Sequence, residues 1–245
     1  MRLRWLGHAS CAIEADGKTL LVDPFGRKRC EESAHLSAVL ITHSHVDHLN
    51  RWTLKSLDKN ATLVVPFGAK AIVQDLGFSC VIETQPGKNI SIGPFNVLTV
   101  PTKHDSGRWS KSTTPTCCGY LIEHGGTVIH HAGDIDMSTY DLFDEIGKET
   151  KITASLLPIG GMLPVWYYRK RQSALDKGVH IDPDTALDIA SRLRCNTFIP
   201  IHWGTLHLPY LTRSSPAKRL MKVAKENTQE GLVKLLDHKE LWDLD

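Results

Sequence analysis

The chain has 245 residues, of which 41% are hydrophobic, and it carries 29 lysines and arginines against 27 aspartates and glutamates. This is the composition of an ordinary globular protein with enough residues to bury a sizeable core. The formal net charge of +2 is too small to indicate a nucleic-acid-binding protein.

Hydropathy excludes a membrane-spanning protein, because no run approaches the roughly 18 apolar residues that a transmembrane helix needs. The N-terminal stretch MRLRWLGHASCAIEADGK lacks the continuous apolar core of a signal peptide. The six cysteines show no CxxC spacing. Without a secretion signal, we expect reduced thiols that lie mostly in the core, and a cytoplasmic location.

Short apolar runs separated by turn residues predict a series of strands in the first hundred residues. The runs are RLRWLG, SCAIEA, KTLLVD, AVLIT (38–42), TLVVP (62–66), SCVIET, NISIG and FNVLTV. The segment WTLKSLDK predicts a short helix between two of these strands. Residues 68–77 (GAKAIVQDLG) also have helical spacing, and this helix is predicted to stop at a glycine.

The second half of the chain again places strands before helices. CCGYLIEHGGTVIHHAGD predicts a hairpin with a Gly-Gly turn, and ASLLPI and NTFIPIHW predict further strands. Helices are predicted at 139–148, at 182–194 with an Asp-Pro start, and in SSPAKRLMKVAKENT, with GLVKLLDH as a last strand. This pattern favours one α/β (α+β) domain over residues 1–245, built as a four-layer αββα sandwich.

A cluster of metal-capable side chains follows the strand AVLIT. His43, His45, Asp47 and His48 fall within six positions, on a loop at the strand's C-terminal end. Imidazole and carboxylate groups are ligands for Zn²⁺ and related ions. The alternative interpretation is a polar loop that happens to contain several histidines.

Three later strand ends carry further candidate ligands. His104 follows FNVLTVPTK, Asp134 follows TVIHHAG, and His202 lies in FIPIHW. A single histidine at such a place is more often a core or surface residue. Four strand ends that can converge predict a shared metal site.

These motifs resemble the metallo-β-lactamase superfamily, whose signature HSHVDH matches here. Further matches are GHAS (7–10), AGD (132–134), LPIGG (157–161), HIDPDTA (180–186) and IHWGT (201–205). They are similar to two branches, the N-acylphosphatidylethanolamine-hydrolysing phospholipase D and the ascorbate-phosphate lactonase group. IHWGT and the insert after LPIGG favour the first branch, whereas PIGG is closer to the second.

The resemblance implies two bound zinc ions, although His/Asp ligand shells also accept manganese or iron. The first ion would be held by His43, His45 and His104, the second by Asp47, His48 and His202, with Asp134 bridging both. A metal-bridging hydroxide would attack phosphorus or a carbonyl carbon, and the metals would stabilise the anionic transition state. Asp47 would also act in catalysis by orienting the hydroxide and accepting its proton.

Two more histidines are candidates for the pocket. By the resemblance, His180 faces the reacting group, where it would bind the phosphate or assist the leaving group; the alternative is a surface histidine near a helix cap. His8 in WLGHAS is a candidate pocket or outer-shell residue. The alternative for His8 is a buried histidine bonded to the backbone.

The insert at 161–180 mixes aromatic and cationic side chains, among them Trp166, Arg169 and Arg171. Such a mixture can form a wall or a lid for an anionic, partly apolar substrate. Arg108, in the polar loop at 104–116, could reach the same pocket. The alternative for the insert is a solvated loop whose aromatic side chains fill part of the core, and the alternative for the loop at 104–116 is a mobile edge.

The leading functional hypothesis is a binuclear zinc phosphodiesterase that acts on a phospholipid or cyclic phosphate. The second is a lactonase or carboxylic ester hydrolase with the same site. The third is a non-catalytic metal- or nucleotide-binding module, which the complete ligand set disfavours. The expected partner is a small-molecule or lipid phosphodiester, and homo-oligomerisation stays open.

Overall fold

Two β-sheets pack face to face in the computed structural model of the chain. The structure describes residues 1–30, 35–104, 116–136, 140–161, 180–205 and 214–244. The strands are Arg2–Gly7 (β1), Ser10–Ala15 (β2), Lys18–Val22 (β3), Leu36–Leu40 (β4), Thr62–Pro66 (β5), Cys80–Thr84 (β6), Asn89–Ile92 (β7), Phe95–Pro101 (β8), Cys118–His124 (β9), Thr127–His131 (β10), Ala154–Pro158 (β11), Thr197–Ile201 (β12) and Leu241–Asp243 (β13). The α-helices are Arg27–Cys30 (α1), Arg51–Ser56 (α2), Lys70–Val73 (α3), Tyr140–Glu149 (α4), Pro183–Arg192 (α5) and Ser215–Glu226 (α6). Short 3-10 helices cover Gln74–Leu76 and Glu230–Leu232.

Each sheet joins antiparallel hairpins to a set of parallel strands. Among the described residues, the first sheet has seven strands in the order β13-β1-β2-β3-β4-β5-β6, and the second has six in the order β12-β11-β10-β9-β8-β7. Strands β3 to β6 are parallel, as are β10 to β12. Parallel neighbours end at the same edge of a sheet, so the residues that follow them are brought together.

Alternation along the strands places apolar side chains on both faces of each sheet. In β4, Ala38 and Leu40 pack between the sheets, whereas Val39 packs against the outer helices. Helices α1 to α3 cover the outer face of the first sheet, and α4 to α6 cover that of the second. The predicted four-layer αββα sandwich is therefore confirmed.

Two of the predicted helices begin at a capping side chain. The side chain of Asn50 accepts a hydrogen bond from Thr53 N–H at the start of α2. Asp182 caps α5 in the same way, with Thr185 N–H as donor and Pro183 in the first turn. The stop predicted at Gly77 follows the 3-10 turn, where this glycine has φ +81°.

The prediction of a last strand in GLVKLLDH is wrong. Leu232 and Val233 pack against the outer helical layer of the second sheet, whereas Leu236 is buried between the sheets. The segment therefore crosses from one layer to the other instead of running along a strand. The last strand is β13, which pairs antiparallel with β1 and which the sequence pattern did not reveal.

All six cysteines are free thiols, and four of them are buried: Cys11, Cys30, Cys118 and Cys195. No helix in the described part of the chain combines the length and the apolar content needed to cross a bilayer.

Candidate metal centre

The loop after β4 folds into a tight turn that separates inward from outward side chains. The N–H groups of His48 and Leu49 both donate to the carbonyl of His45, at 3.0 and 2.7 Å. His43 and His48 are buried by this turn, whereas Val46 between them is 77% exposed. The signature HSHVDH therefore places its histidines toward the interior of the molecule.

Asp134 lies at the centre of a cluster of histidines from different strand ends. It follows β10, while His104 follows β8 and His202 follows β12. The distances from its Oδ2 atom are 3.3 Å to His48 Nε2, 3.4 Å to His202 Nε2, 3.4 Å to His180 Nδ1, 3.6 Å to His104 Nε2 and 3.8 Å to His43 Nε2. One carboxylate thus faces side chains from both sheets.

The cluster contains two main groups of candidate donors and a third that joins them. In each group, the candidate donor atoms lie within 4.8 Å of one another. One main group contains His43, His45, His104 and Asp134, the other contains His8, Asp47, His48 and His202, and the joining group contains Asp134, His180 and His202. All seven ligands expected from the sequence therefore fall within one buried cluster.

Several atoms of the cluster are buried without a hydrogen-bond partner in the described structure. They are both carboxylate oxygens of Asp134, Nε2 of His48 and Nε2 of His202. A buried carboxylate with no donor is costly, and such groups in proteins normally meet a partner or a bound ion. The site has the shape and donor chemistry that would suit a metal cation at these atoms.

Asp23 is not among the residues predicted from the sequence, but its carboxylate hydrogen-bonds to His48 of this cluster. Asp23 is fully buried and follows β3. Its carboxylate accepts hydrogen bonds from Thr42 N–H at 2.8 Å, from Thr42 Oγ1 at 2.6 Å and from His48 Nδ1 at 2.7 Å. The last bond fixes Nδ1 of His48 on Asp23 and turns its Nε2 atom toward Asp134. An acidic residue directly after an apolar strand was the available signal.

The same network orients His43. Because the hydroxyl of Thr42 donates to Asp23, it accepts from His43 Nδ1–H, 3.0 Å away. The Nε2 atom of His43 is then the acceptor nitrogen, and it lies 2.9 Å from His45 Nδ1. Both rings are thus held with Nε2 turned toward the cluster, and for His43 this nitrogen carries a lone pair.

The glycines of two motifs allow close approach of the backbone to the cluster. Gly133, in AGD, has φ +65°, and a Cβ atom there would lie 2.8 Å from Thr42 Cβ. A Cβ atom on Gly160 would collide with the carbonyl oxygen of His202. His131, which precedes AGD, bonds to Ala9 O at 2.9 Å and accepts from Gly133 N–H at 3.2 Å, which supports the turn that carries Asp134.

Both carboxylates of the cluster are ionised. Burial raises the pKa of Asp47, but the neighbouring imidazoles of His202 and His8 outweigh it and hold that pKa well below its ordinary value. Burial opposes ionisation of Asp134 too, yet the neighbouring His202 and His48 keep its pKa well below the usual range. Burial lowers the pKa of His8 to about 4, so this imidazole is neutral at pH 7.

The structure describes some of the candidate substrate residues. His180 Nδ1 lies near Asp134, and its ring centroid is 5.1 Å from that of His104 and 5.0 Å from that of His202, so it faces both groups. His8 is buried beside Asp47. Arg108, Trp166, Arg169, Arg171 and the insert positions 162–179 lie outside the described residues.

Comparison with known proteins identifies the family. Residues 16–203 match the beta-lactamase superfamily domain. The chain belongs to the beta-lactamase superfamily. This matches the resemblance carried by HSHVDH and the later strand-end residues.

Three relatives are similar to the chain in sequence, and they differ in how much of their own length the chain covers. An uncharacterized Mycobacterium tuberculosis protein is 25% identical over 92% of this chain and 64% of its own length. A mitochondrial N-acyl-phosphatidylethanolamine-hydrolyzing phospholipase D of Saccharomyces cerevisiae is 29% identical over 90% of this chain and 51% of its own. A metal-dependent hydrolase of Methanopyrus kandleri is 29% identical over 84% of this chain and 85% of its own length. The chain thus spans only about half to two thirds of the first two.

Solved structures share the fold at lower identity. A metallo-hydrolase of the archaeon Ignicoccus hospitalis superposes with a TM-score of 0.72 at 20% identity, covering 98% of this chain and 97% of its own. The diiron β-hydroxylase of Streptomyces venezuelae has a TM-score of 0.76 at 20% identity, covering 98% of this chain and 53% of its own. This second structure shows that the fold carries more than one chemistry.

Proposed function

We propose that the chain is a metal-dependent hydrolase with two metal ions, zinc in the first instance, and that it cleaves phosphodiesters. The position of Asp134 carries this proposal. Its two buried oxygens, with no hydrogen-bond partner among the described residues, lie between two groups of imidazoles. A carboxylate in this position suits a bridge between two cations.

The ligand assignment follows the two groups. His43, His45 and His104 would hold one ion, and Asp47, His48 and His202 would hold the other, with Asp134 shared. Three imidazoles and a carboxylate on one side, and two imidazoles and two carboxylates on the other, are donor sets that zinc accepts. Bound there, a metal pair would lower the pKa of a shared water and offset the charge of the transition state.

The residues around the metals would supply orientation and proton transfer. Asp47 is 23% exposed, and its carboxylate would orient the attacking water and receive its proton. The His180 side chain, also 23% exposed, faces both groups. It would bind a phosphate oxygen or donate a proton to the leaving alkoxide.

Hydrolysis of bis(p-nitrophenyl) phosphate is the first test. We expect zinc-loaded protein to release nitrophenolate, and Asp47→Ala to lower kcat by about 10²–10⁴-fold, as for loss of a catalytic acid–base group. Asp16→Ala is the matched control, because Asp16 is an aspartate with a 69% exposed side chain.

A protein shown to hold two zinc ions, yet inert toward this diester, would contradict a phosphodiesterase. The same protein would then be assayed with p-nitrophenyl acetate and simple lactones. Turnover of these esters would identify the alternative, a carboxylic ester hydrolase. Inertness toward both classes would favour a binding module.

We propose a lipid as the phosphodiester substrate, in line with the name of the yeast relative. Apolar side chains beside the ligand loop support this choice. Val46 is 77% exposed within HSHVDH, and Trp52, on the helix that follows, is 81% exposed. Exposed apolar groups next to a catalytic centre suit acyl chains better than a cyclic nucleotide.

The double variant Val46→Ser/Trp52→Ala tests the lipid proposal. We expect hydrolysis of phospholipid vesicles to fall about tenfold, since burial of a large apolar side chain contributes roughly 1.5–3 kcal/mol. Turnover of bis(p-nitrophenyl) phosphate should stay within twofold of the wild-type rate. Leu235→Ser, at a leucine that is 39% exposed in another part of the chain, is the control. Equal loss on both substrates would contradict a lipid-contact role.

A further inference from the structure

We propose that Thr205 is a positioning residue for the second metal group: its hydroxyl holds His8, and His8 in turn holds Asp47. The inference rests on the proposed function for the role of Asp47 as a metal ligand. Thr205 would act through His8, by fixing where a carboxylate points; its hydroxyl also donates to Trp203 O at 3.5 Å.

The first contact joins distant parts of the chain. The backbone N–H of His8 donates to Thr205 Oγ1 at 2.8 Å, across 197 positions of sequence. His8 has φ +56°, a left-handed conformation that is unfavourable for a residue with a side chain. Such a conformation persists where surrounding contacts define it, and Thr205 supplies one of them.

The backbone carbonyl of His8 is hydrogen-bonded as well. It accepts from His202 N–H at 2.8 Å and from Trp5 Nε1–H at 2.9 Å. Both backbone polar groups of His8 therefore bond to the segment 202–205 or to β1. Because His202 is itself a candidate ligand, this pairing sets the relative positions of His8 and His202, whose ring centroids are 4.0 Å apart.

The side chain of His8 reaches Asp47. Its Nε2 atom lies 2.8 Å from Asp47 Oδ2, and His8 is only 2% exposed. The imidazole N–H donates and the carboxylate accepts. A carboxylate oxygen has two lone pairs, so Oδ2 can accept from His8 and still face His202 Nε2, 3.5 Å away. Donors that bond to a ligating carboxylate keep it oriented toward the metal.

Zinc titration of Thr205→Val and Thr205→Ser tests the proposal, with competition against a chromophoric chelator to resolve the two binding steps. Valine has the shape of threonine without the hydroxyl, whereas serine keeps the hydroxyl. We expect Thr205→Val to weaken one zinc step by roughly 10–100-fold and to leave the other unchanged, as for loss of an outer hydrogen bond. Thr205→Ser should bind both ions as the wild type does.

Thr153→Val is the matched control, because Thr153 Oγ1 also accepts a backbone hydrogen bond, from Val128 N–H at 3.1 Å. This variant should keep both zinc affinities even if its Tm falls. Two unchanged zinc steps in Thr205→Val, or the same zinc loss in Thr153→Val, would overturn the proposal. If Thr205→Val does not fold, His8→Leu takes its place, and two unchanged zinc steps in His8→Leu would overturn it equally.

The titration also separates this inference from the proposed function, since it needs no substrate. Selective zinc loss in Thr205→Val supports the positioning role even if no variant hydrolyses a phosphodiester. That combination would reject only the proposed substrate and would leave the positioning role of Thr205 supported. Full turnover in wild type with unchanged zinc binding in Thr205→Val would reject the positioning role alone.

Discussion

Asp134→Ala is expected to lose affinity for both metal ions and, with them, at least about 10²–10³-fold in kcat/KM, the effect of losing one preorganised electrostatic group. The reason is its central place: one carboxylate oxygen lies 3.3 to 3.8 Å from imidazole nitrogens of both groups. Apart from His202, every other candidate ligand belongs to one group only. Elemental analysis of the purified variant, together with diester hydrolysis, measures both effects.

His45→Ala provides the comparison for this variant, because His45 belongs to one group alone. It should lower the affinity for a single ion and leave the second bound. An Asp134→Ala protein that retains two ions at wild-type affinity would reject the bridging assignment. Asp134→Asn adds a further check, since it keeps the shape of the side chain and removes the negative charge.

Asp23→Ala is expected to destabilise the folded protein by about 3–5 kcal/mol, the cost of removing one partner from a buried charged network. Three donors lose their acceptor together: Thr42 N–H, the Thr42 hydroxyl and His48 Nδ1–H. The ring of His48 is then no longer held in the orientation that directs Nε2 toward Asp134. Metal affinity should therefore fall by roughly 10–100-fold as well.

Chemical denaturation of the metal-free protein measures the first effect, and zinc titration measures the second. Asp188→Ala is the control, because Asp188 pairs with Arg192 on the surface, where its side chain is 52% exposed. Loss of that surface pair should change stability by less than about 1 kcal/mol. A loss of stability for Asp23→Ala no larger than for Asp188→Ala would contradict the proposed network.

Local patterns in the sequence were sufficient for the fold class and for the candidate ligands. Apolar alternation marked most strands, and Asn50 and Asp182 begin the helices that follow them. Metal-capable side chains could be recognised because several occur together in HSHVDH or stand directly after an apolar strand. These features depend on residues close in sequence, which is why they can be read without coordinates.

The hydrogen bonds of Asp23 and Thr205 to the cluster could be identified only from the tertiary structure. Asp23 meets His48 across 25 positions, and Thr205 meets His8 across 197. Asp23 stands directly after an apolar strand and Thr205 ends the motif IHWGT, but neither position indicates which distant residue it contacts. The last strand was misplaced for the same reason: Leu236 is buried between the sheets while Val233 packs on the outer layer, a crossing that apolar periodicity cannot distinguish from a strand.

The sequence by itself therefore determined the four-layer sandwich, the superfamily and the set of side chains available to bind metal. The tertiary structure decided how those side chains are arranged around Asp134 and which buried donors and acceptors orient them. The physical reason is that strand periodicity is a property of a few neighbouring residues. The direction of a buried imidazole or carboxylate is instead set by hydrogen bonds from segments that meet only when the two sheets pack together.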